Sequence, residues 1–191
     1  MTRLAASDFK IGSGGKKALI GAGVGAGMAL LGVMGRKLVV QGPTIAAGEW
    51  DKALAVEHEA ALALFDKLQA LEPKDGVKRT LLLTHLKNAL AKHAFQEENV
   101  IYPAMRDAGL KEEADRLTGD HGYVKQYLYD LADLTDDHEA FQAKLRDFRR
   151  SIEQHMKEEE DMLFVRLKAR LDDSANRILT IRMNREGVKL A

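Results

Sequence analysis

From residue 46 onward the chain repeats its apolar positions every three or four residues, the spacing that puts them on one face of an α-helix. Four long stretches follow this period. The first runs from Ala46 to Leu71 with Leu54, His58, Ala61, Leu62 and Phe65 in its stripe, and Pro73 stops it. The second, Asp75 to Tyr102, aligns Leu86, Leu90, His93, Glu97 and Ile101, and Pro103 ends or kinks it. The third, Lys111 to Leu134, carries Ala114, Leu117, His121, Val124, Leu128 and Leu131. The fourth, Glu139 to Leu171, carries Phe141, Leu145, Phe148, Ile152, His155, Glu159 and Met162. A last helical stretch, Ala175 to Arg185, ends near Gly187. No strand pattern interrupts these segments and the connections are short. The pattern predicts an all-α fold, an antiparallel up-down four-helix bundle with a short C-terminal helix.

Each of the four stripes holds one histidine, and two of these have a glutamate four residues later: His58, His93 with Glu97, His121, and His155 with Glu159. Residues i and i+4 lie one turn apart on the same helix face, so each His-x3-Glu pair aims an imidazole and a carboxylate at one point. His58 and His121 add a nitrogen from two further helices. A lone histidine in such a stripe is ordinarily a hydrogen-bonded core residue. Four imidazoles and two carboxylates buried together without a cation would leave unpaired charges in a poorly solvating interior, at a cost of several kcal/mol each. The set therefore reads as the coordination shell of two metal ions. It suits first-row metals, with iron favoured for redox chemistry and manganese or zinc as alternatives. Both carboxylates can bridge, leaving room for a bridging oxo or hydroxo group and an exogenous ligand.

The neighbouring residues divide on geometry. Glu98, Glu158 and Glu160 fall about 60–140° round the helix from the ligand positions and are expected to face solvent. His85 lies about 12 Å along the axis from His93, an outer-shell residue at best, and His138 lies about 25 Å from His155, at the surface. Tyr102, Tyr123 and Tyr127 are near the ligand helices. Tyr123, two residues from His121, is the one singled out as an outer-shell hydrogen-bond or electron donor.

Composition changes the picture mainly at the N-terminus. The net charge is zero, but residues 1–50 carry six basic and two acidic side chains against 23 and 27 in residues 51–191. The body is thus mildly acidic and offers no basic face for nucleic acid. Eleven of the 16 glycines also fall in the first 50 residues, which sets off residues 1–45 from a bundle over 46–172 and a helical tail over 173–191. Within the leader, Ala18 to Gly35 is an uncharged run of 18 residues between Lys16-Lys17 and Arg36-Lys37, with overlapping GxxxG pairs at Gly21/Gly25 and Gly23/Gly27. As a helix it would span about 27 Å, marginal for a bilayer. Membrane association, a packed glycine-zipper helix, a flexible leader and an export signal all fit it. With no cysteine, disulfides, thiolate ligands and iron–sulfur clusters are excluded.

Residues 51–170 resemble the hemerythrin-like, HHE cation-binding domains, on the phrases KHAFQEENVIYPAM and HMKEEEDMLF. The resemblance implies a non-haem diiron site. Oxygen-carrying hemerythrins use five histidines and two carboxylates, with HxxxH on the third helix and HxxxxD on the fourth. Here position 125 is Lys, and the fourth-helix carboxylate is Glu159. The pattern is similar to the four-His, two-Glu arrangement of the iron-centre repair proteins and related bacterial members, which directs expectation away from reversible oxygen carriage.

These features point to a bacterial protein, cytoplasmic or membrane-associated with export open, that binds or reacts with dioxygen, nitric oxide or peroxide in stress defence or sensing. Catalase-like peroxide removal is the enzyme alternative. Iron delivery, iron-centre repair or iron buffering is the binding alternative, and a membrane-tethered interaction module without metal is the fourth.

Overall fold

The computed structural model describes residues 35–37 and 39–191. The apolar run from Ala18 therefore lies outside the described residues except for Gly35. A helical segment over 39–46 leads in, and Gly48 breaks it at φ +91°, a conformation that only a residue without Cβ adopts freely. There follow α1 (Trp50–Gln69), α2 (Gly76–Gln96), a π-helical turn π1 (Glu97–Ile101), α3 (Tyr102–Asp107), α4 (Lys111–Asp133), α5 (His138–Glu158), a second π turn π2 (Glu159–Leu163), α6 (Phe164–Arg170) and α7 (Asp173–Leu190). Among the described residues there is no strand, and no helix is long and apolar enough to cross a membrane. The protein is an all-α, hemerythrin-like helical bundle in which α1 packs on α2 and α5, and α4 packs on the same two helices.

Three expected boundaries move, each for a local reason. The first bundle helix starts at Trp50 rather than Ala46, because Gly48 turns the chain. The second does not end at Pro103. Tyr102 donates its N–H to the carbonyl of Glu97, five residues back, and Pro103 then sits in the first turn of α3, where its missing N–H is tolerated. Gly187 does not stop the last helix either. A Cβ there would lie 2.6 Å from Gln41 Oε1, so Gly187 serves the close approach of α7 to the segment 39–46.

The core is two apolar clusters. One gathers Trp50, Leu54, Tyr102, Leu117, Phe164 and Met183, and includes α7 through Leu179 and Met183. Trp50 fastens that helix further, donating Nε1–H to Asn176 Oδ1 at 2.9 Å. The other cluster gathers Phe65, Leu86, Leu131, Phe141 and Phe148 and forms the opposite end of the bundle. Each long helix passes from one cluster to the other at its histidine, which leaves a polar layer across the middle.

Candidate metal centre

The six residues singled out by their spacing converge in that layer. His58 Nε2 and His93 Nε2 are 2.8 Å apart. Glu97 lies between the two halves, with Oε1 3.2 Å from His93 Nε2 and Oε2 3.3 Å from His121 Nε2. Glu159 does the same from the other side, its Oε2 3.5 Å from His58 Nε2 and 3.4 Å from His155 Nε2. Two sets of ligand atoms each fall within 4.8 Å of one another: His58, His93, Glu97 and Glu159, and Glu97, His121 and His155. Both carboxylates are completely buried.

The donor set fits a pair of cations. Glu97 Oε1, Glu159 Oε2 and both ring nitrogens of His155 are buried without a hydrogen-bond partner, an expensive arrangement for charged and polar atoms. All of these atoms but the His155 Nδ1 point inward. Left to itself, the cluster distributes charge unevenly. Burial, reinforced by the nearby Glu97 charge, pushes Glu159 well above the usual carboxylate range. Burial opposes ionisation of Glu97 too, but His93 and His121 outweigh it and hold Glu97 well below that range. For His93 burial is likewise outweighed, by Glu97 and Glu57, and the ring is raised well above its ordinary value. Desolvation brings His155 down to about 4. A cation held by these residues would take the place of protons on the raised groups and give the unpartnered atoms a partner.

A second ring of carboxylates faces the outward nitrogens. Glu160 Oε1 lies 2.6 Å from His58 Nδ1, Glu57 Oε2 3.2 Å from His93 Nδ1, and Glu98 Oε1 2.9 Å from His121 Nδ1. Asp120 Oδ2 stands 3.5 Å from His155 Nδ1. Such partners fix the tautomer, so that Nε2 is the nitrogen offered inward. Glu160 is exposed as expected and Glu98 half-buried, yet both reach back to the histidines, while Glu158 pairs with Arg116. Glu57 and Asp120, which the stripe pattern passed over, directly precede His58 and His121. A signal for all four existed: the chain repeats (Glu/Asp)-His … His-x3-Glu-Glu, the second copy 62 or 63 positions after the first.

The two π turns complete the layer. Each begins on its glutamate, Glu97 or Glu159, and each of these carbonyls accepts from the residue five positions on, Tyr102 or Phe164. Tyr102 is thereby swung over the cluster: its hydroxyl donates to Glu159 Oε1 at 2.8 Å and lies 3.1 Å from His121 Nε2 and 3.3 Å from Glu97 Oε2. Tyr123 is 68% exposed at the mouth of a cleft of about 200 Å³ that reaches His155, so the tyrosine in contact with the ligand atoms is Tyr102. Tyr127 stacks on Phe148 in the apolar cluster. His85 is exposed, and His138 accepts from Arg79 at 2.9 Å, far from the layer.

The family model described as hemerythrin HHE cation binding domain matches residues 51–167. No curated protein and no solved structure matches the chain.

Proposed function

The chain belongs to the hemerythrin HHE cation-binding family, and on that premise we propose that His58, His93, Glu97, His121, His155 and Glu159 hold two iron ions that bind or react with a small oxidant in stress defence or sensing. The observation that carries this reading is the placement of two fully buried carboxylates, each within 3.5 Å of histidines from both halves of the layer. Bound iron supplies the redox equivalents and an open coordination position for dioxygen, nitric oxide or peroxide. The protein's own residues do the rest. The four histidines present Nε2, and Glu160, Glu57 and Glu98 hold three of the rings, those of His58, His93 and His121, in that tautomer. Tyr102 keeps its proton, because burial and the two glutamates push its hydroxyl well above the ordinary value, and so it serves as a hydrogen-bond donor into the layer. The apolar clusters on either side limit water.

The test is metal analysis of the purified chain with its visible spectrum in oxidised and reduced states. Two irons per chain with charge-transfer bands that bleach on reduction support the reading, and stoichiometric zinc or an empty layer sinks it. Titration with nitric oxide and peroxide then identifies the ligand. Iron delivery is the second reading, favoured by the cleft that opens beside His155, and it predicts transfer of ferrous iron to an acceptor with little peroxide turnover. Oxygen evolution from peroxide would identify the catalase-like alternative. Residues 18–35 remain a proposed membrane or packing segment, tested by alkaline extraction of native membranes.

A further inference from the structure

The internal repeat makes the two halves of the layer comparable position by position, and they differ at places that matter to the ligands. The residue before His93 is Lys92, and its counterpart before His155 is Gln154. Lys92 is 6% exposed, rare for a lysine, and its Nζ donates to Glu57 Oε1 at 2.7 Å and Gln41 Oε1 at 2.9 Å. Thr44 donates its hydroxyl to the same Glu57 oxygen at 2.7 Å, and Gln96, with its amide turned to donate, stands 3.0 Å from Glu57 Oε2. Glu57 is thus held by three donors while its Oε2 faces His93 Nδ1.

The other half has no such clamp. Asp120 lies on the flank of the cleft, its side chain 36% exposed, 3.5 Å from His155 Nδ1 without a hydrogen bond and drawn at 3.4 Å towards Arg116. Gln154 is exposed. The aromatic positions differ as well: Phe164 stacks near His58 with ring centroids 6.4 Å apart, whereas its counterpart Tyr102 puts a hydroxyl 3.1 Å from His121 Nε2.

We propose that Lys92 is a positioning residue that makes the two metal positions unequal: the His58/His93 position retains its ion, and the His121/His155 position is where ions exchange. The physical basis is the second shell. A histidine whose Nδ1 partner is itself fixed loses its metal-binding orientation rarely, and outer-shell contacts of this kind are worth about 10–100-fold in metal affinity. The segment 39–46 contributes both Gln41 and Thr44 to the clamp, so it belongs to the metal centre although it carries no ligand.

The inference rests on the two-ion reading, and the experiment separates the two. Full-length protein loaded with ferrous iron is mixed anaerobically with excess bipyridyl, and release is followed by colour. The expected result is two phases of equal amplitude, one ion each, with rates about tenfold or more apart. Lys92→Met speeds the slow phase about tenfold and leaves the fast one alone, Lys92→Arg restores it in part, and Asp120→Asn speeds only the fast phase. Thr44→Val, a smaller change, speeds the slow phase a few-fold and covers the case in which Lys92→Met does not fold. Release of both ions in a single phase overturns the inference and spares the two-ion reading. Acceleration of the fast phase by Lys92→Met or Thr44→Val overturns it as well. A chain that cannot be loaded with two ions overturns both.

Discussion

The end of the bundle built on Phe65, Phe141 and Phe148 and the polar layer at its centre are made by the same helices but obey different rules. At the end, the cluster is apolar side chains meeting others of their kind, as Phe65 meets Phe148 edge-on at 5.0 Å, and the buried polar groups beside it, Arg79 and Gln142, find backbone carbonyls to donate to. In the layer, two carboxylates are as well buried as those phenylalanines and the four imidazoles nearly so, and some of their atoms meet no partner. The difference teaches where stability and function are kept. The apolar end needs nothing from outside to be stable. The layer is unfinished by the chain alone, and its completion is left to a bound cation.

Variants that exchange the behaviour of the two regions test this division. The largest effect is expected from Glu97→Ala or Glu159→Ala, each of which removes a ligand shared by both halves: iron content by elemental analysis falls from two per chain towards zero. In the metal-free protein the two part company: Glu97→Ala lowers the unfolding temperature because His93 loses the carboxylate that holds its proton, whereas Glu159→Ala, which removes a carboxyl already held protonated, shifts it less. Phe148→Ala acts in the opposite way. It opens a cavity costing about 3–5 kcal/mol in denaturant unfolding, while iron stoichiometry at low temperature is kept. Glu57→Gln weakens iron retention about 10–100-fold with both ions still loadable. The same variant reports on acid stability. The Glu57 carboxyl, opposed by burial but held down by His93 and Lys92, sits at about 2 against an ordinary 4.5. Its stabilising contribution is therefore complete above pH 4.5 and lost as pH falls towards 2, so the melting-temperature gap between wild type and Glu57→Gln in metal-free protein narrows over that window. Smallest is Tyr102→Phe, which keeps iron content and alters stability by about 1 kcal/mol, but shifts the visible spectrum of the loaded protein. An unchanged spectrum would show that the hydroxyl is not felt by the site.

The helices and the convergence of His93 with Glu97 were legible because an unbroken α-helix relates them, four residues on one face. Tyr102 was not. With about 3.6 residues per turn, five residues past Glu97 lies roughly 140° round the helix, away from the site. The π turn adds a residue to that turn and brings Tyr102 back over Glu97, and no hydropathy period announces such a turn. Glu57 and Asp120 stand about 100° from the histidines that follow them, on the flank that a stripe analysis assigns to solvent. What put Glu57 inside is Lys92 together with Gln41 and Thr44 of the segment 39–46, a tertiary event that helical periodicity does not contain.

The outer carboxylates bear on time as well as on geometry. Three of the four histidines already have an acceptor within 3.2 Å of Nδ1, so the Nδ1 proton has its place before any ion arrives. An incoming ion meets nitrogens already facing it and need not wait for rings to turn or helices to shift. For a cation taken up as proposed, the slow steps would then be release of the protons on the raised groups and shedding of the ion's own water, rather than motions of the chain.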